Sequence, residues 1–207
     1  EISACGNGIR CVAYLLMKES NEKKILLKTK AGILYAELNS SNLVRVNMGE
    51  PNFKWTKIPL NKEMNSKNLK IKIIDIKGKE VLGGFALNVG NPHVVFFVND
   101  YNMYDLKRIG PEVENHIFFP EKCNVTLASI VNKKHLKIKV WERGAGLTKA
   151  CGTAACAAAV ASSLLNLSER NVNIEFNDGS LNIEWSLNNK IYMTGQVSEV
   201  KKISVSI

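Results

Sequence analysis

The sequence predicts an α+β fold. Short apolar, β-branched segments fill most of its 207 residues, only two stretches are strongly helical, and strands and helices do not alternate as a doubly wound sheet would require. The first helix spans about Gly6 to Glu19, with Ile9, Val12, Ala13, Leu15 and Leu16 gathered on one side and Ser20-Asn21 closing it. Strands follow at 25–30, 33–38 and 43–48, where period-two stretches indicate half-buried surfaces. Pro51 and Pro59 flank a low-periodicity connection. Strands resume at 69–76, 81–89 and 94–98. A weaker helical pattern covers Tyr104 to Ile109 and Glu112 to His116, interrupted by Gly110-Pro111. After strands at 125–131 and 136–141 comes the second strong helix, Gly152 to Leu165, which is nearly all Ala, Val and Leu. Having no polar stripe, it must be buried on every side. Strands at 172–176 and 181–187 form a hairpin through Asn177-Asp178-Gly179, and strands at 191–194 and 203–207 follow.

Composition narrows the function. At 45% hydrophobic and 23% charged the chain is an ordinary globular protein. Its net charge of +9 comes mostly from scattered Lys; the five Arg (Arg10, Arg45, Arg108, Arg143 and Arg170) are too few and too dispersed for a nucleic-acid surface. The longest apolar run, Ala154 to Val160, is too short to span a bilayer, and no basic-then-apolar leader is present, so a cytoplasmic protein with no membrane partner is expected. The five cysteines read as free thiols: none is spaced C-x-x-C, and three His are too few to complete a common zinc site. Neither a dinucleotide nor a phosphate loop occurs, and no cofactor or metal is expected.

The informative feature is a repeat. Ala4-Cys5-Gly6-Asn7 and Ala150-Cys151-Gly152-Thr153 each open one of the two strong helices, which suggests two related domains facing one another. A thiol at a helix start lies against unpaired amides and the positive end of the macrodipole, which should depress its pKa. The same amides, with Gly6 and Gly152 allowing close approach, can hold a carboxylate. One thiolate and one thiol on opposite faces of a carbon can remove a proton and return one with inversion. A thiol redox or binding module is the alternative from another class, since facing thiols can also oxidise to a disulfide. Cys11 and Cys156, inside the helix patterns, read as core. Taken alone, Asn91 before Pro92 reads as turn chemistry, Asn124 as a strand start, Glu142 and Arg143 as a surface ion pair, and His93 as a core histidine.

At this point the sequence resembles a known family. Cys5-Gly6-Asn7-Gly8-Ile9-Arg10-Cys11 resembles the first cysteine motif of diaminopimelate epimerases, and Trp141-Glu142-Arg143-Gly144-Ala145-Gly146-Leu147-Thr148-Lys149-Ala150-Cys151-Gly152-Thr153 the second. Met48-Gly49-Glu50-Pro51, Gly90-Asn91-Pro92-His93, Phe119-Pro120, Asn124-Val125 and Tyr192-Met193-Thr194-Gly195 match in the right order. The resemblance implies a cofactor-independent isomerase that interconverts LL- and meso-diaminopimelate for lysine and peptidoglycan precursors. It implies two pseudo-symmetric domains, each a mostly antiparallel curved sheet around a central helix, with the site in the cleft between them. The first would comprise residues 1–55 and 198–207, with the last strand returning to it, and the second residues 56–197. By motif, Cys5 and Cys151 are the acid/base pair; Gly6, Asn7, Gly152 and Thr153 cradle the carboxylate; Asn91, Asn124, Glu142 and Arg143 bind substrate; and His93 supports the pair. A homodimer is implied. Two departures are Ala154, where the family commonly has Gly, and a start only four residues before Cys5, from which an incomplete first domain and weak or no activity of this 207-residue chain are expected. A proline racemase-like enzyme of the same fold is the nearest rival.

Overall fold

The computed structural model describes residues 6–29, 32–74 and 78–198, which form an α+β fold. Helix α1 (Gly6–Ser20) leads into β1 (Lys24–Thr29), β2 (Gly32–Ser40) and β3 (Leu43–Asn47), an antiparallel meander. After the Pro51–Pro59 stretch come β4 (Ile71–Ile74), β5 (Glu80–Gly83), β6 (Phe85–Asn88), β7 (Pro92–Phe97) and α2 (Leu106–Glu114). The chain continues through β8 (Asn124–Asn132), β9 (His135–Glu142), β10 (Gly146–Thr148), α3 (Gly152–Leu164), β11 (Asn171–Phe176), β12 (Gly179–Trp185) and β13 (Ile191–Gln196). The main sheet runs β1-β2-β3-β13-β12-β11-β9-β8-β7-β6, with β10 paired to β9, while β4 and β5 form a separate hairpin. Among the described residues β7–β8 and β9–β11 are parallel and the other pairs antiparallel. The expected final strand, 203–207, lies outside the described residues.

Helix α3 organises the larger core. Gly152 through Ser162 are all buried, and the helix touches β6, β7, β8, β9, β11, β12 and β13. Its alanines let strands close in from several sides, as the missing polar stripe requires. Leu136, Ile138 and Val140 of β9, Ile174 of β11, Ile183 of β12 and Met193 of β13 pack on it. The reverse faces of β7 and β8 bury Val94, Phe96, Val125 and Leu127 against Ile109 and Val113 of α2 and the β4–β5 hairpin. These two strands are covered on both faces, and so read as continuous apolar runs. Helix α1 covers the opposite end of the sheet, Ala13, Tyr14 and Met17 meeting Ala36, Val44 and Val46. No described helix is long and apolar enough to cross a membrane.

Three local expectations are corrected. The segment 81–89 is two strands, not one: Gly83 and Gly84 sit at φ 99° and 101°, so β5 turns to pair with β4 while β6 pairs with β7. The inward face of α1 is Arg10, Ala13, Tyr14 and Met17; Val12 and Leu16 are 49% and 37% exposed, and Cys11 is exposed instead of core. Arg10 draws that face inward, its Nη1 lying 3.4 Å from the Met193 sulfur and its Nε where a Cβ on Gly195 would come within 3.1 Å.

The third correction is α2, which runs unbroken through Gly110-Pro111. Leu106, Ile109 and Val113 bury its apolar stripe, and Asp105 caps its start by accepting from the Lys107 amide. Tertiary burial overrides the lost proline donor. The glycine has its own reason: a Cβ on Gly110 would lie 2.4 Å from Cγ and Cδ2 of the Trp141 ring. Gly110→Ala should therefore destabilise the fold by about 2 kcal/mol, overpacking against the indole outweighing the gain in helix propensity. Urea unfolding checks this, and an unchanged midpoint would show that the ring yields.

Candidate active site

Cys151 is the N-cap of α3, with extended backbone at φ −140° and ψ 115°. The Ala155 amide donates to its carbonyl at 3.1 Å as the first intrahelical bond, so the amides of Gly152, Thr153 and Ala154 stand at the helix start without partners in the helix. Its sulfur lies 3.3 Å from the Thr153 hydroxyl, and the side chain closes no capping bond. Burial, reinforced by the carboxylate of Glu142, pushes the thiol up to about 12; the Thr153 hydroxyl and the Ala154 amide only partly oppose this. This reverses the depressed pKa expected from the helix start. With 7% of the residue exposed, desolvation of a thiolate outweighs the dipole, and Cys151 is a thiol at neutral pH. Cys156, one helical turn further in, is fully buried as expected, with its pKa also raised by burial.

The polar residues named from sequence assemble around the neighbouring strand ends. His93, fully buried on β7, bonds through Nε2 to the Asn91 side-chain oxygen at 2.8 Å. Burial, and then the positive charge of Arg143, lower its pKa to about 3, so it is neutral at physiological pH. Asn124 opens β8 in register with His93. Its amide nitrogen donates to the Pro92 carbonyl at 2.8 Å, and its oxygen accepts from the Arg143 backbone amide at 3.0 Å. The Arg143 guanidinium reaches the Glu121 carbonyl at 3.0 Å. Glu142 and Arg143 sit where β9 turns back into β10, a turn closed by the Ala145 amide donating to the Glu142 carbonyl and by positive φ at Gly144 and Gly146. The chain thus brings Asn91, His93, Asn124, Glu142 and Arg143 to one end of β7, β8 and β9, with Glu142 close enough to act on Cys151.

Gly6 and Asn7 are the first residues of α1, and Cys5 lies outside the described residues. Arg10 of α1 acts electrostatically on Cys156 of α3, so the two helices that begin with the repeat approach one another. A groove lined by Arg10, Cys11, Arg45, Ala150, Asn182 and Glu184 opens beside Ala150 but holds none of the residues from Asn91 to Cys151 just described.

Sequence reasoning missed Glu114. Buried at the end of α2, it accepts from the Trp141 indole N–H at 2.7 Å and from the Gly144 amide at 2.9 Å. The available signal was a carboxylate placed beside the apolar stripe of a helix, where an acid is rarely buried without partners.

Residues 85–200 match the family described as diaminopimelate epimerase. A diaminopimelate epimerase of Pelagibacter ubique is 54% identical over 204 residues, covering 99% of this chain and 74% of the relative. The chain belongs to the diaminopimelate epimerase family. One from Caulobacter vibrioides is 45% identical over 197 residues, covering 94% of this chain and 68% of that one. Solved structures place the fold more broadly. A PhzF-family phenazine biosynthesis protein from Bacillus anthracis superposes with a TM-score of 0.68 at 15% identity, over 100% of this chain and 77% of its own. A probable proline racemase from Agrobacterium radiobacter gives 0.65 at 10%, over 99% and 68%. Members of the diaminopimelate epimerase family are isomerases, and the fold is shared with other racemases.

Proposed function

We propose that this protein interconverts LL- and meso-diaminopimelate by proton transfer between two cysteines, without a cofactor, supplying lysine and peptidoglycan precursors in the cytoplasm. The observation that carries the reading is Cys151: a buried thiol that caps a helix start, set against the Thr153 hydroxyl and within reach of the Glu142 carboxylate. In the forward step the thiolate of Cys5 takes the α-proton. The C–H electron pair moves into the adjacent carboxylate, and Cys151 gives its own proton to the opposite face. The Cys151 S–H bond breaks as the new C–H bond forms, leaving Cys151 as thiolate and Cys5 as thiol; the reverse reaction runs from that state. The amides of Gly6, Asn7, Gly152 and Thr153 stabilise charge developing on the carboxylate. Asn91, Asn124, Glu142 and Arg143 hold the second amino-carboxylate end, with the Arg143 guanidinium as the carboxylate fork. His93, neutral, fixes Asn91. The site lies between two pseudo-symmetric domains, residues 1–55 with 198–207 and residues 56–197, and the protein works as a homodimer.

The test is α-proton exchange in D₂O under reductant, with meso-diaminopimelate and proline in parallel, on the protein carrying this sequence. Exchange with diaminopimelate alone is expected. Exchange with proline alone would favour the proline racemase-like reading, which the shared fold permits. Activity that survives oxidation of the thiols would overturn the acid/base roles.

A further inference from the structure

We infer that Glu114 is a positioning residue, which sets the Glu142–Arg143 turn from outside the site; this rests on the functional reading above. Its carboxylate is buried at the C-terminal end of α2 and is used twice, by the Trp141 indole on one oxygen and the Gly144 amide on the other. Trp141 precedes Glu142 and Gly144 follows Arg143, so the two bonds grip the chain immediately before and after the pair. Gly110, one turn earlier on α2, lets the same indole lie flat against the helix, where a Cβ would meet the ring at 2.4 Å. Asn124 holds the Arg143 amide from β8 at 3.0 Å. The turn is thus fixed at three points, and the two that come from α2 share one side chain. The Ala145–Glu142 bond and the β9–β10 pairing close the turn upon itself, and these bonds from α2 and β8 set its direction relative to the sheet.

Glu114→Gln keeps the volume but turns an amide N–H toward one of two donors, breaking one grip. The expected result is a KM for diaminopimelate raised about tenfold with kcat changed less than about threefold, since Arg143 then meets the carboxylate from the wrong place. The Trp141 indole resonance, assigned by its loss in Trp141→Phe, should move as its carboxylate partner goes. A merely structural role would instead lower kcat in proportion to folded protein and leave KM alone, and that overturns the inference. An indole resonance that moves while KM stays unchanged overturns it equally. If Glu114→Gln does not fold, Trp141→Phe replaces it, removing one of the two bonds as the glutamine does. It should likewise raise KM about tenfold with kcat changed less than about threefold, and an unchanged KM overturns the inference. Wild-type protein that does not act on diaminopimelate overturns the functional reading along with it, whereas active wild type with an unmoved KM in Glu114→Gln overturns this inference alone.

Discussion

Cys151→Ala is expected to lower the interconversion of LL- and meso-diaminopimelate at least about 10³-fold, in both directions, because the opposite face then has no proton donor or acceptor. The loss should be chemical. The residue is small and caps α3 through its backbone, so removing the sulfur leaves the helix start in place. The stability change should stay near 1 kcal/mol, as for other small buried deletions. Cys151→Ser sharpens the test by preserving shape and hydrogen bonding with a far weaker acid. Both variants should fold, as judged by thermal unfolding, and both should be silent in a chiral assay of the two isomers. Serine activity above about a tenth of wild type would mean that thiol acidity is not what the site uses, and the two-cysteine mechanism would fall.

The second large effect is on stability and belongs to His93. Its pKa is lowered from 6.5 to about 3, first by burial and then by Arg143. Between those values the unfolded chain binds a proton that the folded chain refuses, so stability is fully present above about pH 6.5 and drains away as pH falls toward 3. At pH 4.5, two units below the unfolded value, the deficit is about 2 to 3 kcal/mol. His93→Gln keeps a donor for the Asn91 oxygen and removes the titration. Urea unfolding at pH 7.5 and 4.5 should therefore show wild type losing about 2 to 3 kcal/mol more than the variant, whatever the carboxylates contribute to both. Equal losses would place the His93 proton on the folded protein too, and would remove the neutral histidine from the site.

Much of this fold could be read from residues because periodicity and local turn chemistry decide it. An all-apolar helix at 152–164 has nowhere to go but inside, and Asn177-Asp178 between alternating segments makes the β11–β12 hairpin with Phe176 opposite Gly179. The misreadings share a cause, since each depended on which other element a segment pairs with or packs against. Gly83 and Gly84 look like strand residues until β4 and β7 compete for either side of them. Cys11 looks like core until Arg10, pulled in by Met193, rotates the helix. The family motifs supplied the residue names around Cys151, yet not its charge state, which depends on how deeply the sulfur is buried and where Glu142 lies. Glu114 belongs to no motif that was read. Only the packing of α2 against Trp141 reveals it.

The pairing of β3 with β13 has a consequence for how the molecule forms. Leu43 to Asn47 bond to Tyr192 through Gln196, and Val197 donates to Asn42 at 2.8 Å, so of the paired strands described these two are the most widely separated in the chain. The β1–β2–β3 meander and the β8–β9 and β11–β12 hairpins need only near neighbours and can appear early. The seam must first close a loop containing everything between, and that entropy is spent before any contact repays it. The topology implies that α1 reaches α3 only in this last step. In refolding, the far-UV signal should therefore recover before catalysis, and the two repeated helix starts would exist separately for a time as halves of an unfinished enzyme.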